Sequence, residues 1–156
     1  TARRLDIGIE GYPDYDKINF GQVHPNVNPA DIFVRENNKT YVNFEIAMNA
    51  YMFGGYPTDE QIYQYSLQNH VTDTTPPAFI WHGGEDGLIY PRNSFMFAEA
   101  LREHNIPCEL HVFGKGGHGL GLANEVTENN PWEVNEQCAM WPKLAADWIK
   151  SILRQQ

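Results

Sequence analysis

The sequence predicts an α/β fold in which parallel strands are joined by crossover helices. Three observations carry this. Ala78-Phe79-Ile80-Trp81-His82 is a short, nearly continuous apolar run, the pattern of a strand buried on both faces. Cys108-Glu109-Leu110-His111-Val112-Phe113 is a second strand-like run. Between them, from Pro91 to His104, Phe95, Phe97, Ala98 and Leu101 fall near helical spacing. Strand, helix and strand on short connections make a parallel pair with a crossover helix.

The other elements follow in chain order. Leu5-Asp6-Ile7-Gly8-Ile9 alternates and runs into Gly11-Tyr12-Pro13, a strand and a turn. From Asp14 to about Thr40 the chain is polar and rich in Asn and Pro, with Pro25, Asn26, Asn28, Pro29, Asn37 and Asn38 favouring turns and caps. Long loops in compact domains are often functional, so residues 14–55 are expected to form a lid-like excursion, with a plain surface insertion as the alternative. From Tyr41 to Phe53, Val42, Ile46, Ala47, Ala50 and Phe53 recur at helical spacing, and Gly54-Gly55 closes that segment. Thr58 then reads as the N-cap of a short helix, with Gln61 completing a capping box. Thr72 to Pro77 separates it from the first apolar run.

Pro91 suits the first turn of the crossover helix, and Asn105-Ile106-Pro107 ends it. Gly114 to Gly121 is a glycine-rich loop around His118. Pro131 to Leu153 is the last helical region, with Trp141, Leu144, Ala145, Trp148, Ile149 and Ile152 as the stripe that packs on the sheet.

Composition excludes some functions. At 156 residues one domain is the default. The chain carries 20 Asp plus Glu against 11 Lys plus Arg, and that field repels a polyanion, so no nucleic-acid partner is expected. No apolar run reaches the ~18 residues of a membrane span, and no signal region opens the chain, so no membrane partner is expected either. Cys108 reads as a small buried hydrophobe; with Cys138 it makes no disulfide framework, and the pair suits a reducing, cytoplasmic setting.

Two residues stand out for chemistry. Asp86 follows the first apolar strand and His118 follows the next. In open parallel sheets ligands bind in the crevice at those strand ends. A carboxylate there can fix the tautomer of an imidazole and stabilise its protonated form, and the imidazole can take a proton from a hydroxyl. The glycines around both residues allow sharp turns and close backbone approach. His82, Glu85 and His111 are also metal-ligand types, but no His-Glu-x-x-His or similar helical pair is present, and His82 and His111 read as packed strand residues. No metal or other cofactor is expected.

From Thr75 through Pro76-Pro77-Ala78-Phe79-Ile80-Trp81-His82-Gly83-Gly84-Glu85-Asp86, then Pro91 to Leu101, Pro107 to Phe113 and Gly116-Gly117-His118-Gly119-Leu120-Gly121-Leu122, the chain resembles the α/β-hydrolases. The resemblance is to their small carboxylesterase and acetyl-esterase branch, which includes lipase-like, acetyl xylan esterase-like and feruloyl esterase-like enzymes. Trp141-Pro142 leading into a helix fits the same branch, and Leu5 to Pro13 resembles the strand after the nucleophile's helix. The resemblance implies the C-terminal half of one α/β-hydrolase domain over residues 1–156. It implies Asp86 and His118 as the acid and base of a Ser-His-Asp triad acting on short-chain acyl esters, with Tyr12, Pro13, Leu88, Ile89 and Leu120 as candidate substrate-binding residues.

One departure matters. A Gly-x-Ser-x-Gly elbow should precede the first strand. The three serines here, Ser66, Ser94 and Ser151, have no flanking glycines. The nucleophile is therefore expected outside these residues, and the chain alone is expected to be inactive. It should stand beside the missing N-terminal half or pair with a copy of itself, because the Leu5–Ile9 strand would otherwise keep an open edge. Two alternatives share these residues: a prolyl-oligopeptidase-like serine peptidase, whose catalytic domain has the same Asp-then-His ending, and a non-catalytic interaction module.

Overall fold

The computed structural model describes residues 4–6, 26–36, 39–43, 49, 52–128 and 130–154. The chain divides into two compact units, Thr1–Tyr65 and Ser66–Gln156.

In the first unit, strands β1 (Arg4–Asp6), β2 (Phe33–Glu36) and β3 (Lys39–Asn43) form an antiparallel sheet in the order β1-β3-β2. Leu5 lies opposite Val42, and Val34 opposite Tyr41. This differs from the sequence reading in three ways. Tyr41–Asn43 is strand rather than the start of a helix: β-branched and aromatic residues here pair with β1 and β2, and that cross-strand pairing overrides the helical spacing of the apolar positions. The Asn-rich stretch is not unbroken loop, since it holds the short helix α1 (Pro29–Ile32) and the β2–β3 hairpin, with Asn28 Oδ1 accepting the Ala30 N–H at 3.0 Å. Arg4–Asp6, the described part of the expected first strand, pairs antiparallel with β3, where the sequence reading had parallel strands. Helix α2 (Asp59–Tyr65) starts as expected. The Gln61 N–H donates to Thr58 Oγ1 at 3.2 Å and the Thr58 N–H to Gln61 Oε1 at 2.9 Å, a complete capping box.

The second unit is built on two parallel strands, β4 (Ala78–Gly83) and β5 (Cys108–Phe113), in register from Ala78 opposite Cys108 to Gly83 opposite Phe113. Helix α3 (Arg92–Glu103) crosses between them. It stops because Asn105 adopts a left-handed conformation, φ +56°. The Ile106 N–H then reaches the Leu101 carbonyl at 2.8 Å and the Asn105 N–H that of Arg102 at 3.0 Å, a Schellman motif that returns the chain into β5 through Pro107.

Alternation along β4 sends Ala78 and Ile80 to one face and Phe79 and Trp81 to the other. The first face packs with Phe97, Ala100, Leu101, Ile106 and Val71. Leu101 is fully buried, which is worth about 2 kcal/mol. Phe95, placed by spacing on the apolar side of α3, is 52% exposed. The opposite face is aromatic: Trp81 stacks on Trp141 at 5.5 Å between ring centroids, and Phe79 lies 5.9 Å from Trp148. Both tryptophans belong to helix α4 (Trp141–Leu153), whose Trp141 Nε1–H also donates to the Gly121 carbonyl at 2.9 Å. Ile149 of the expected stripe is exposed. Ala78 to His82 are half-buried rather than buried on both faces, with β5 as the described partner of β4.

Cys108 packs at the edge of the Leu101 cluster, Cys138 is fully buried, and both are free thiols. Among the described residues no helix is long and apolar enough to cross a membrane, and no three His, Cys, Asp or Glu side chains are arranged to hold a metal ion.

Candidate active site

The site lies on the two loops that leave the C-terminal ends of β4 and β5. The loops are held together by backbone. The Gly84 N–H donates to the Phe113 carbonyl at 2.7 Å and the Glu85 N–H to the Gly116 carbonyl at 3.0 Å. The approach at Gly83 leaves no room for a side chain: a Cβ there would sit 2.4 Å from the Gly116 oxygen. Gly116 itself has φ +108° and is buried against Cys138 and Leu120. An exposed ion pair between Lys115 and Glu85 joins the loop tips, and the Lys115 ammonium holds the Glu85 carboxyl below its ordinary range.

This arrangement brings Asp86 and His118 together. His118 Nδ1 lies 3.0 Å from Asp86 Oδ2. The carboxylate accepts, so Nδ1 carries the proton, and Nε2 is the ring nitrogen left with a lone pair. The Asp86 side chain is 6% exposed and that of His118 49%, so the acid is sheltered and the imidazole opens outward. Asp86 Oδ1 accepts the N–H groups of Leu88 and Ile89, both at 2.9 Å. Burial pushes the Asp86 carboxyl up, but the Ile89 N–H, the His118 ring and the Leu88 N–H outweigh it, and the group sits below the ordinary aspartate range.

That shift has a sign in stability. The folded-state value is depressed, so the ionised carboxylate adds stability above the unfolded value of about 3.9 and loses it as pH falls through the folded value. Asp86→Asn should therefore lower the urea unfolding midpoint near neutral pH, and the gap to wild type should narrow below about pH 4. A gap that stays constant across this range would contradict the assignment.

The other expected residues fall in different places. Leu88 is half-buried and Ile89 is 42% exposed; both shape the Asp86 loop through their N–H groups. Leu120 is 2% exposed and packs with Ala123 and Cys138 beneath the His118 loop. Tyr12 and Pro13 lie outside the described residues. Sequence reasoning treated His82 as a packed strand histidine and did not connect it with Asp86. In the structure its Nε2 lies 3.2 Å from Asp86 Oδ2 and 2.9 Å from the Ile89 carbonyl, while its Nδ1 lies 2.8 Å from Ser94 Oγ. One signal was available: His82 alternates with Ala78 and Ile80 and so faces α3, where an imidazole needs hydrogen-bond partners.

The comparisons agree with this architecture. The family model for the prolyl oligopeptidase family matches residues 33–132, and the chain belongs to that family. Endo-1,4-beta-xylanase B of Butyrivibrio fibrisolvens is 47% identical over 74 residues, which are 47% of this chain and 12% of that protein. Among solved structures, an acetyl ester-xyloside bifunctional hydrolase from Caldicellulosiruptor lactoaceticus is 35% identical with a TM-score of 0.60, over 70% of this chain and 36% of that one. A sugar hydrolase from Lactococcus lactis is 29% identical with a TM-score of 0.60, over 65% and 40%. A carboxylesterase from Lactobacillus plantarum is 30% identical with a TM-score of 0.57, over 80% and 41%. The chain thus spans about two fifths of these solved structures. Its parallel strands and crossover helix are part of an α/β-hydrolase fold.

Proposed function

We propose that this chain supplies the acid, Asp86, and the base, His118, of a serine esterase that cleaves short-chain acyl esters. The observation that carries the reading is the 3.0 Å contact between His118 Nδ1 and a sheltered Asp86 carboxylate on adjacent strand-end loops. The 156 residues contain no Gly-x-Ser-x-Gly, so the nucleophile in this reading is a serine of the complete protein or of a partner segment. His118 Nε2 takes the serine proton as Oγ attacks the acyl carbon, and Asp86 stabilises the imidazolium. The imidazolium then gives its proton to the departing alkoxide. Water, activated by the same nitrogen, releases the acid and restores the serine. Leu88 and Ile89 border the acyl pocket in this reading.

The acyl preference is carried over from the esterases and the acetyl ester hydrolase that the chain resembles. With nitrophenyl esters and the complete protein, kcat/KM should be highest for acetyl to butyryl groups and fall roughly tenfold or more by octanoyl. A second reading draws on the family match itself: a peptidase of the prolyl oligopeptidase type. The same assay separates the two, because cleavage of prolyl peptides without ester turnover, or a preference for long acyl chains, would overturn the first.

A further inference from the structure

We propose that His82 is a second, positioning histidine for the acid, and that Ser94 sets its tautomer. This rests on the reading of Asp86 and His118 as acid and base.

The neighbours of His82 fix which ring nitrogen carries its proton. Nε2 faces two groups that can only accept, the Ile89 carbonyl at 2.9 Å and Asp86 Oδ2 at 3.2 Å. It must therefore carry the hydrogen. In the neutral ring Nδ1 then accepts, and the group opposite it, Ser94 Oγ at 2.8 Å, donates. Ser94 sits on the first turns of α3, so the helix that crosses between the two strands also holds the ring that holds the acid.

Asp86 Oδ1 accepts from Leu88 and Ile89, and Oδ2 from His118. The His82 Nε2–H goes to the Ile89 carbonyl, at the end of the loop that carries those two N–H donors, and the same nitrogen stands 3.2 Å from Oδ2. The His82 side chain is 11% exposed, so water does not readily replace its bond. Without His82, the Ile89 carbonyl would lose this bond and Oδ2 the polar group at 3.2 Å. The loop that offers the Leu88 and Ile89 N–H groups to Oδ1 could then shift, and the carboxylate and the His118 ring with it. His82 touches neither substrate nor the reacting atoms and acts through Asp86.

The test uses the complete protein, nitrophenyl acetate and four variants. His82→Phe keeps the ring shape and removes both bonds. His82→Gln restores a donor near the Nε2 position. Ser94→Ala removes only the tautomer contact. Asp86→Asn is the reference. We expect His82→Phe to lower kcat about tenfold with KM unchanged, as the loss of an orienting outer-shell bond does elsewhere, and His82→Gln to recover most of it. If Asp86→Asn is nearly inactive while His82→Phe has wild-type kcat, the positioning role is wrong and the acid assignment stands. A fall in His82→Phe that changes KM as much as kcat, and that Gln does not recover, also overturns the role. If Asp86→Asn keeps wild-type activity, the acid assignment itself fails, and the proposal with it. Should His82→Phe not fold, Ser94→Ala decides: a lowered kcat at constant KM supports the proposal, and a wild-type kcat overturns it.

Discussion

His118→Ala, made in the complete protein, is expected to lower kcat for nitrophenyl acetate by about 10⁴-fold or more, with KM within a few-fold of wild type. In the proposed mechanism Nε2 takes the serine proton, and the other basic side chains described near it are engaged: Lys115 with Glu85, and His82 with Ile89 and Ser94. Asp86→Asn should cost about as much, because an amide that turns its NH₂ toward His118 favours the wrong tautomer. The two losses should not add, since acid and base act as one unit. A double variant with about the activity of either single one supports the coupling. Independent, multiplying losses would mean that the 3.0 Å contact is not used in catalysis.

The second large effect is on folding, at Gly83 and Gly116. A Cβ on Gly83 would lie 2.4 Å from the Gly116 oxygen, 2.7 Å from its carbonyl carbon and 2.9 Å from the Gly117 oxygen. All three are backbone atoms, so no side-chain rotation relieves the clash. A Cβ on Gly116 would meet Cys138 Sγ at 2.7 Å, at a φ of +108° that other residues rarely adopt. Each alanine variant should cost about 3 kcal/mol in urea unfolding, the upper end for overpacking. Each should also lower activity, because the Glu85 N–H to Gly116 carbonyl bond sets the distance between the Asp86 and His118 loops. The neighbouring Gly117 is the control. A Cβ there meets nothing within 4 Å, so Gly117→Ala should stay within about 0.5 kcal/mol of wild type. Equal costs at Gly116 and Gly117 would contradict the packing described here.

What could be read from the sequence depended on how local each cause was. The capping box at Thr58 and Gln61 needs only residues three apart, and both of its bonds are present. The limits of β4 and β5 follow from apolar runs bounded by prolines and glycines. The end of α3 follows from Asn105 before Ile106-Pro107. The pairing of Asp86 with His118 was also legible, because successive parallel strands bring their C-terminal loops together. The misread region was the one where partners are distant or ambiguous. Val42, Ile46, Ala47, Ala50 and Phe53 fit a helix on spacing alone. What makes Tyr41–Asn43 a strand is the presence of β1 and β2 on either side; β2 lies just upstream, but β1 lies more than thirty residues away and outside any local window. His82 was missed for the same reason. Its partners, Ser94 and the Ile89 carbonyl, come within reach only after the loop following β4 has folded back under α3.

Pre-steady-state release of nitrophenolate from nitrophenyl acetate tests most directly whether Asp86 and His118 serve as the proton-transfer pair of a covalent, serine-based esterase, because a burst reports formation of the acyl-enzyme. Wild-type complete protein should release about one nitrophenolate per site in a fast phase ahead of steady turnover, and His118→Ala should show no such phase. A burst of full amplitude and unchanged rate in His118→Ala would contradict the account.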